Sequence, residues 1–208
     1  MQVIVLATEE QKVQFPGKKS DIIWVDDFSA FATYASADAF IDLQFVPTEK
    51  RIAVLARLLP KPVIINSIAH TLNDAHPDFI RINAWNAFLS SPVWEAACLE
   101  EERQQKADAV FRFLGKRPEW LPDTPGFVTA RVVSMIVNEA YLALEEGVST
   151  KEEINTAMKL GTAYPYGPFE WAEKIGVQNI VQLLLMLARQ NSRYTPARLL
   201  VQEIERSV

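Results

Sequence analysis

Proton transfer near neutral pH needs a histidine or a tuned carboxylate within reach of the substrate. The chain has two histidines, His70 and His76, and 26 acidic residues from which the partner could come. Two histidines without a nearby cysteine do not make a metal site, so no metal is expected. Their spacing suits loop positions, with a relocated base at His70 as the catalytic alternative. Two acidic stretches follow the first two apolar runs: Thr8-Glu9-Glu10 after the first, Asp26-Asp27 after the second. A strand-end acid can accept hydrogen bonds from ligand hydroxyls, which makes Asp26 a candidate binding residue. It also suits a solvated strand end.

The elements that must position these residues fall into two halves. Of seven glycines only Gly17 precedes residue 115, so the halves follow different rules. In the first half Gln2–Ala7, Asp21–Val25 and Val63–Asn66 are continuous apolar runs that predict short strands. Ala39–Phe45 alternates Ile41, Leu43 and Phe45 against Asp42 and Gln44. Between the last two strands, Ile52, Leu55, Ala56 and Leu59 share one helical face closed by Pro60, which predicts a parallel unit with a right-handed crossover. Ala107, Val110, Phe111 and Leu114 mark a later helix that stops at Gly115. Pro118 and Pro122 make the next stretch an edge strand or connector.

From Phe127 onward the pattern is helical. Val128, Val132, Val133, Ile136, Val137, Ala140 and Leu144 cover most of a cylinder, which predicts a helix buried on more than one side. "STKEEINTAMKLG" offers two capping registers, Ser149 with Glu152 and Thr150 with Glu153, and Gly161 as its stop. Pro168 suits the first turn of the next helix and Gly176 its end. The Leu-rich run after Gly176 predicts a second buried or subunit-facing helix.

Composition bounds the partners. A net charge of −5 gives no basic face for nucleic acid, since Lys18-Lys19 is the nearest approach to a cluster. The one cysteine, Cys98, excludes an internal disulfide and is expected to be a small buried residue. "MQVIVLATEE" has neither a basic leader nor a secretory core, and no stretch approaches a membrane span, so a cytoplasmic protein is expected.

The second half resembles the 3-hydroxyacyl-CoA dehydrogenase family in its C-terminal helical domain. The resemblance is carried by "GK" at 115–116, "DTPGF" at 123–127, "NEA" at 138–140, "EEGVST" at 145–150, "EEINTAMKLG" at 152–161 and "YGPFEWAEKIG" at 166–176, which fit in order and spacing. It implies an α/β N-terminal domain at 1–122, a shortened Rossmann-like parallel sheet, followed by an all-α domain at 123–208. It also implies NAD, a 3-hydroxyacyl-CoA thioester, a His–Glu pair for proton transfer and a homodimer through the C-terminal helices.

Against that pattern the family's His-Phe-Phe-Asn-Pro to Val-Glu motif overlays "NAWNAFLSSPVWE". Glu95 takes the catalytic Glu position and Asn86 the motif Asn, but the His position is Asn83, an amide that accepts no proton near pH 7. "NSIAHTL" places His70 at the position of the family's Ser. Ala130 replaces the Asn after "PGF", while Arg131 is kept, which puts Asn86 and Arg131 on the substrate side. Thr8-Glu9-Glu10 replaces the glycine turn, and only about ten residues remain where the family carries a long helical pair before its third strand. Glu95 also suits a strand-end carboxylate, solvated or paired with Arg81 or Arg131. The expected function is therefore a catalytically degenerate homologue without a cofactor, retaining dimerisation, partner binding or acyl-CoA binding. The alternatives are an active NAD-dependent dehydrogenase with atypical site residues and a pure interaction module.

Overall fold

The computed structural model describes residues 1–15 and 21–206, so the expectations at Pro16, Gly17 and Lys18-Lys19 lie outside it. The chain divides into Met1–Phe127 and Val128–Val208. Unit 1 is built on a seven-stranded sheet: β1 Val3–Leu6, β2 Ile22–Val25, β3 Ala39–Asp42, β4 Val63–Asn66, β5 Ile80–Ile82, β6 Val93–Ala97 and β7 Arg117–Trp120, in the order 2-1-3-4-5-6-7. β1 to β5 run parallel, β6 is antiparallel to β5, and β7 is parallel to β6. Among the described residues, four helices accompany the sheet, three of them α: α1 Glu9–Gln14, α2 Glu49–Ala56 and α3 Glu101–Phe113, with a 3-10 helix at Phe28–Tyr34.

Covering both faces explains the continuous apolar runs. Val3, Val5, Ile41 and Ile64 join one core with Ala107, Val110 and Phe111 of α3, and Ile4, Leu6, Phe40 and Ile65 join another with Leu55 of α2 and Phe31. The crossover β3-α2-β4 is parallel, and β7, with Pro118, is an edge strand, as the sequence predicts. The connection from β2 to β3, residues 26–38, holds one 3-10 helix of seven residues.

Asp42 departs from the alternation read in the sequence. Its side chain is fully buried rather than solvated, because Arg51 closes on it through Nε at 2.7 Å and Nη2 at 2.6 Å. Burial raises the Asp42 carboxyl above the usual range, and the Arg51 guanidinium pulls it the other way. Cys98 is half-buried and free rather than a core residue, since it lies where β6 gives way to α3.

Arg81 of β5 is the largest fully buried cation of this unit. Its guanidinium pairs with Asp123 at 2.7 Å, donates to the carbonyls of His70 and Thr124, and lies 4.1 Å from the Phe127 ring centroid. Asp123 also accepts from the Leu72 amide, and Gly126 N–H donates to the Ile68 carbonyl. These bonds hold "DTPGF" on unit 1, which is why the division falls after Phe127 while the sequence motif begins at 123. Burial lowers Arg81 to about 10 against the pull of Asp123 and Asp74.

Unit 2 is all helical: α4 Thr129–Glu145, α5 Lys151–Thr162, α6 Pro168–Ile175, α7 Val177–Ala188 and α8 Arg198–Arg206. α6, α7 and α8 pack on α4. Asn138 of "NEA" accepts from the Ala197 amide at 2.7 Å and donates to the Thr195 carbonyl at 3.0 Å, fixing the entry to α8. Only the Thr150–Glu153 capping box forms, with Ser149 Oγ donating to the same Glu153 carboxylate. α5 continues through Gly161 to Thr162, and Ala163 takes the left-handed turn at φ 56°, so Gly161 is not the stop the sequence suggested. At Gly167 a Cβ would come within 2.6 Å of the Asn155 backbone, so α6 can start there only from glycine.

α4 also departs from expectation. Val133, Val137, Ala140 and Tyr141 are buried, but Val128 and Val132 are more than half exposed. One side of the cylinder is covered, not several. On α7, Leu184 is fully buried within the unit while Leu185 is exposed, so only Leu185 can face a partner.

Neutralising Asp123 leaves the Arg81 charge buried without its counterion, a change that typically costs about 3–5 kcal/mol. Asp123→Asn is therefore expected to lower the urea midpoint of unit 1 strongly. A midpoint within error of the parent would show that the pair does not hold the turn.

Candidate functional site

In open parallel sheets, ligands bind beyond the carboxyl ends of the strands at the point where the strand order reverses, here between β1 and β3. The β1–α1 turn stands at that point. Thr8 caps α1: its Oγ1 accepts from Gln11 N–H at 3.2 Å, and Gln11 Oε1 accepts from Thr8 N–H at 2.9 Å. The buried Gln11 side chain continues to the Leu43 carbonyl beyond β3 at 3.3 Å, which Asn66 of β4 also bonds at 3.1 Å. Glu9 and Glu10 occupy the first turn of α1. A pyrophosphate needs free backbone N–H groups and room for close approach. These residues answer the turn with their own side chains and add two carboxylates, so they do not fit the group.

The other cluster lies on β5 and β6. The antiparallel register continues past Ile82–Ala96 to place Asn83 opposite Glu95. Asn83 N–H donates to the Glu95 carbonyl at 3.0 Å, and Asn83 Nδ2 donates to Glu95 Oε2 at 2.9 Å. Asn83 is buried and Glu95 half-buried. The Asn66 amide oxygen accepts from the next backbone N–H, that of Ala84, at 3.0 Å. Asn83 and Glu95 thus form a side-chain pair, and Asn66 holds the backbone just after Asn83. They can orient a polar group by hydrogen bonding, but the amide at 83 cannot shuttle a proton.

Other residues singled out in the sequence are spread more widely. Asp26 has a fully exposed side chain beyond β2, at the opposite sheet edge, 4.0 Å from Lys12. His70 lies in the loop after β4, where its carbonyl accepts from Ser67 Oγ and Arg81. Asn86 is half-buried in the turn after Asn83. Arg131 and Ala130 belong to the first turn of α4, with the Arg131 guanidinium 5.8 Å from the Tyr194 ring centroid and Ala130 buried. Arg81 is committed to Asp123 rather than to Glu95. Among the described residues, no three His, Cys, Asp or Glu side chains gather in a way that could hold a metal ion.

A family model described as 3-hydroxyacyl-CoA dehydrogenase, C-terminal domain, matches residues 126–207. Those residues are therefore similar to the C-terminal domain of the 3-hydroxyacyl-CoA dehydrogenase family. The chain is 40% identical over 109 residues to a 3-hydroxyadipyl-CoA dehydrogenase of Escherichia coli (strain K12), a stretch covering 51% of this chain and 23% of that protein. To a 3-hydroxybutyryl-CoA dehydrogenase of Bradyrhizobium diazoefficiens it is 38% identical over 94 residues, covering 44% of this chain and 32% of the relative. The matched stretch thus spans less than a third of these dehydrogenases. The fold of (S)-3-hydroxybutyryl-CoA dehydrogenase PaaH1 from Ralstonia eutropha aligns over 99% of this chain and 94% of its own, with a TM-score of 0.77 at 17% identity. FadB2 of M. tuberculosis aligns over the same shares with a TM-score of 0.80 at 14% identity. The Rossmann-like sheet is therefore shared with 3-hydroxyacyl-CoA dehydrogenases as a fold, while the family-model match covers residues 126–207.

Reading the sequence missed Gln11 and Asn66. The Thr8-x-x-Gln11 spacing is a capping-box signature and was legible; the reach of both side chains to Leu43 depends on strand order and was not. It also missed Lys116 of "GK". This buried ammonium donates to the Leu89 and Ser91 carbonyls and lies 5.0 Å from the Trp94 ring centroid, pinning the turn that leads into β6 and Glu95.

Two outcomes follow from this geometry. In Asn83→His the imidazole would face Glu95, and its pKa, followed by NMR, is expected above the ordinary value of about 6.5; a lower value would mean that the carboxylate does not face position 83. Burial pushes Lys116 down from 10.5 to about 8, so the folded state binds fewer protons than the unfolded state between those values. Stability should rise with pH across that window in the parent and less so in Lys116→Met; identical pH profiles would refute the assignment.

Proposed function

We propose that this chain keeps the family scaffold without NAD-linked hydride transfer, and that it serves as a binding or assembly subunit. The observation that carries this reading is the amide at position 83: the neighbour of Glu95 is a hydrogen-bond donor, not a base. The self-capped β1–α1 turn supports it independently, because it offers a pyrophosphate carboxylates in place of open glycine N–H groups. Losing either feature alone leaves room for compensation elsewhere. Losing both removes the acceptor and the base that the reaction requires.

The retained ligand class is an acyl-CoA thioester. The retained assembly is a homodimer through the C-terminal helices. An α5 without a single buried residue, beside a half-exposed apolar side of α4, supports that part of the reading. No described helix is long and apolar enough to cross a membrane; a cytoplasmic location is part of the proposed reading.

The second reading is an active NAD-dependent 3-hydroxyacyl-CoA or 3-hydroxybutyryl-CoA dehydrogenase of fatty acid metabolism. It is favoured by the names of the relatives and by the retention of Glu95. Titration of NADH into the purified chain, followed by fluorescence to millimolar concentration, separates the two. No saturable signal is expected. Saturable binding, with thioester-dependent NADH oxidation lost in Glu95→Gln or His70→Ala, would replace the first reading by the second.

A further inference from the structure

A polar cleft of about 570 Å³ opens within unit 2, lined from α4, α5, α6 and α8 and from the start of α7. That volume is in the range of small-molecule sites. Tyr141 of α4 and Phe169 of α6 form its aromatic wall, with their rings edge to face and centroids 4.9 Å apart. Lys151 of α5 shows what the wall accepts. Its ammonium lies 5.5 Å from each ring centroid and 3.1 Å from both carboxylate oxygens of Glu203. Ring faces joined to a carboxylate make a surface that holds cations.

The cleft carries more negative charge than Lys151 neutralises. Glu203 is met by Lys151, and Glu170, which also lines the cleft, is met by Lys159 at 2.5 Å. Glu152 and Glu173 line it too, and neither has an ion-pair partner among the described residues. The N-terminus of α7 at Gly176 offsets about half of one charge.

Tyr141 is a second and independent sign of a ligand. The residue is 2% exposed and lines the cleft, yet its hydroxyl has no hydrogen-bond partner among the described residues. A buried tyrosine hydroxyl normally finds one. Burial, and after it the charge of Glu203, push the hydroxyl up to about 12, so near pH 7 it is neutral and its oxygen can accept.

The spread of the charges says which cation. Among the described residues, no three acidic side chains gather closely enough to hold a metal ion. Carboxylates spaced along a cleft suit a cation whose own charges are spaced, and an aromatic wall suits the methylene groups between them.

We propose that this cleft binds a linear polyamine, two or more ammonium groups joined by methylene stems, held by Glu152, Glu173 and the Tyr141 hydroxyl along the Tyr141–Phe169 wall. The site is separate from the acyl-thioester reading, because the carboxylates repel an anionic ligand.

Titration calorimetry of spermidine into the full chain tests it. One saturable site is expected, weakening as salt is added. Glu152→Gln combined with Glu173→Gln should weaken binding about tenfold or more. Tyr141→Phe keeps the ring and removes the acceptor, which should cost about fivefold. Butylamine, with a single ammonium, should bind about tenfold or more weaker than spermidine. Circular dichroism of each variant separates lost binding from lost folding. Absence of a saturable signal with spermidine overturns the proposal. Unchanged affinity in the double glutamine variant places the polyamine elsewhere on the acidic surface and overturns the site. Equal affinity for butylamine overturns the requirement for spaced charges, and unchanged affinity in Tyr141→Phe overturns the role of the hydroxyl.

Discussion

A guanidinium with no exposure to water must be answered by the chain around it, and Arg81 is answered from three directions. Asp123 supplies the charge, the His70 and Thr124 carbonyls supply acceptors, and Phe127 supplies a ring face. Removing any one leaves a cation in a low-dielectric interior, which is far more costly than never having built the pair. The consequence is positional. β5, the loop after β4 and the "DTPGF" turn are held together by one side chain, and β5 carries the strand end on which Asn83 meets Glu95. The family-like turn therefore belongs physically to the sheet unit, although in sequence it introduces the helical one.

That frame gives the proposed loss of chemistry a geometric form. The sheet still places a polar pair at adjacent strand ends, in register and within hydrogen-bonding distance, so the scaffold that would align a base with its carboxylate is intact. Against the pattern that the family resemblance implies, the proposed difference is one group, an amide in place of an imidazole. At the β1–α1 turn the difference is of another kind, since Thr8 and Gln11 close the helix start on itself and Gln11 reaches across to β3. The first change leaves space and orientation unaltered; the second consumes the donors that a phosphate would use. Two independent changes of different physical type at the two ends of one reaction support reading the chain as a scaffold put to a binding use.

The division of labour between sequence and tertiary structure follows from the range of the forces involved. Local and periodic features were legible: the apolar strands, the α2 crossover, the face of α3, the proline-marked edge strand, the helix starts at Thr150 and Pro168, and the overlay that set Asn83 against Glu95. Each depends on residues within a few positions of one another, or on a motif whose spacing the strand register reproduces. Three-dimensional placement decided the rest. Asp42 looked solvated because its alternation is polar, yet Arg51, nine residues later, folds back to cover it. α4 looked buried all round because its composition is apolar, yet only one side meets α6, α7 and α8. Leu184 and Leu185 are indistinguishable in sequence, but helical phase buries one and exposes the other. A sequence fixes which groups are available to be paired; which of them are paired, and which face is left open for another molecule, is set only when distant segments pack.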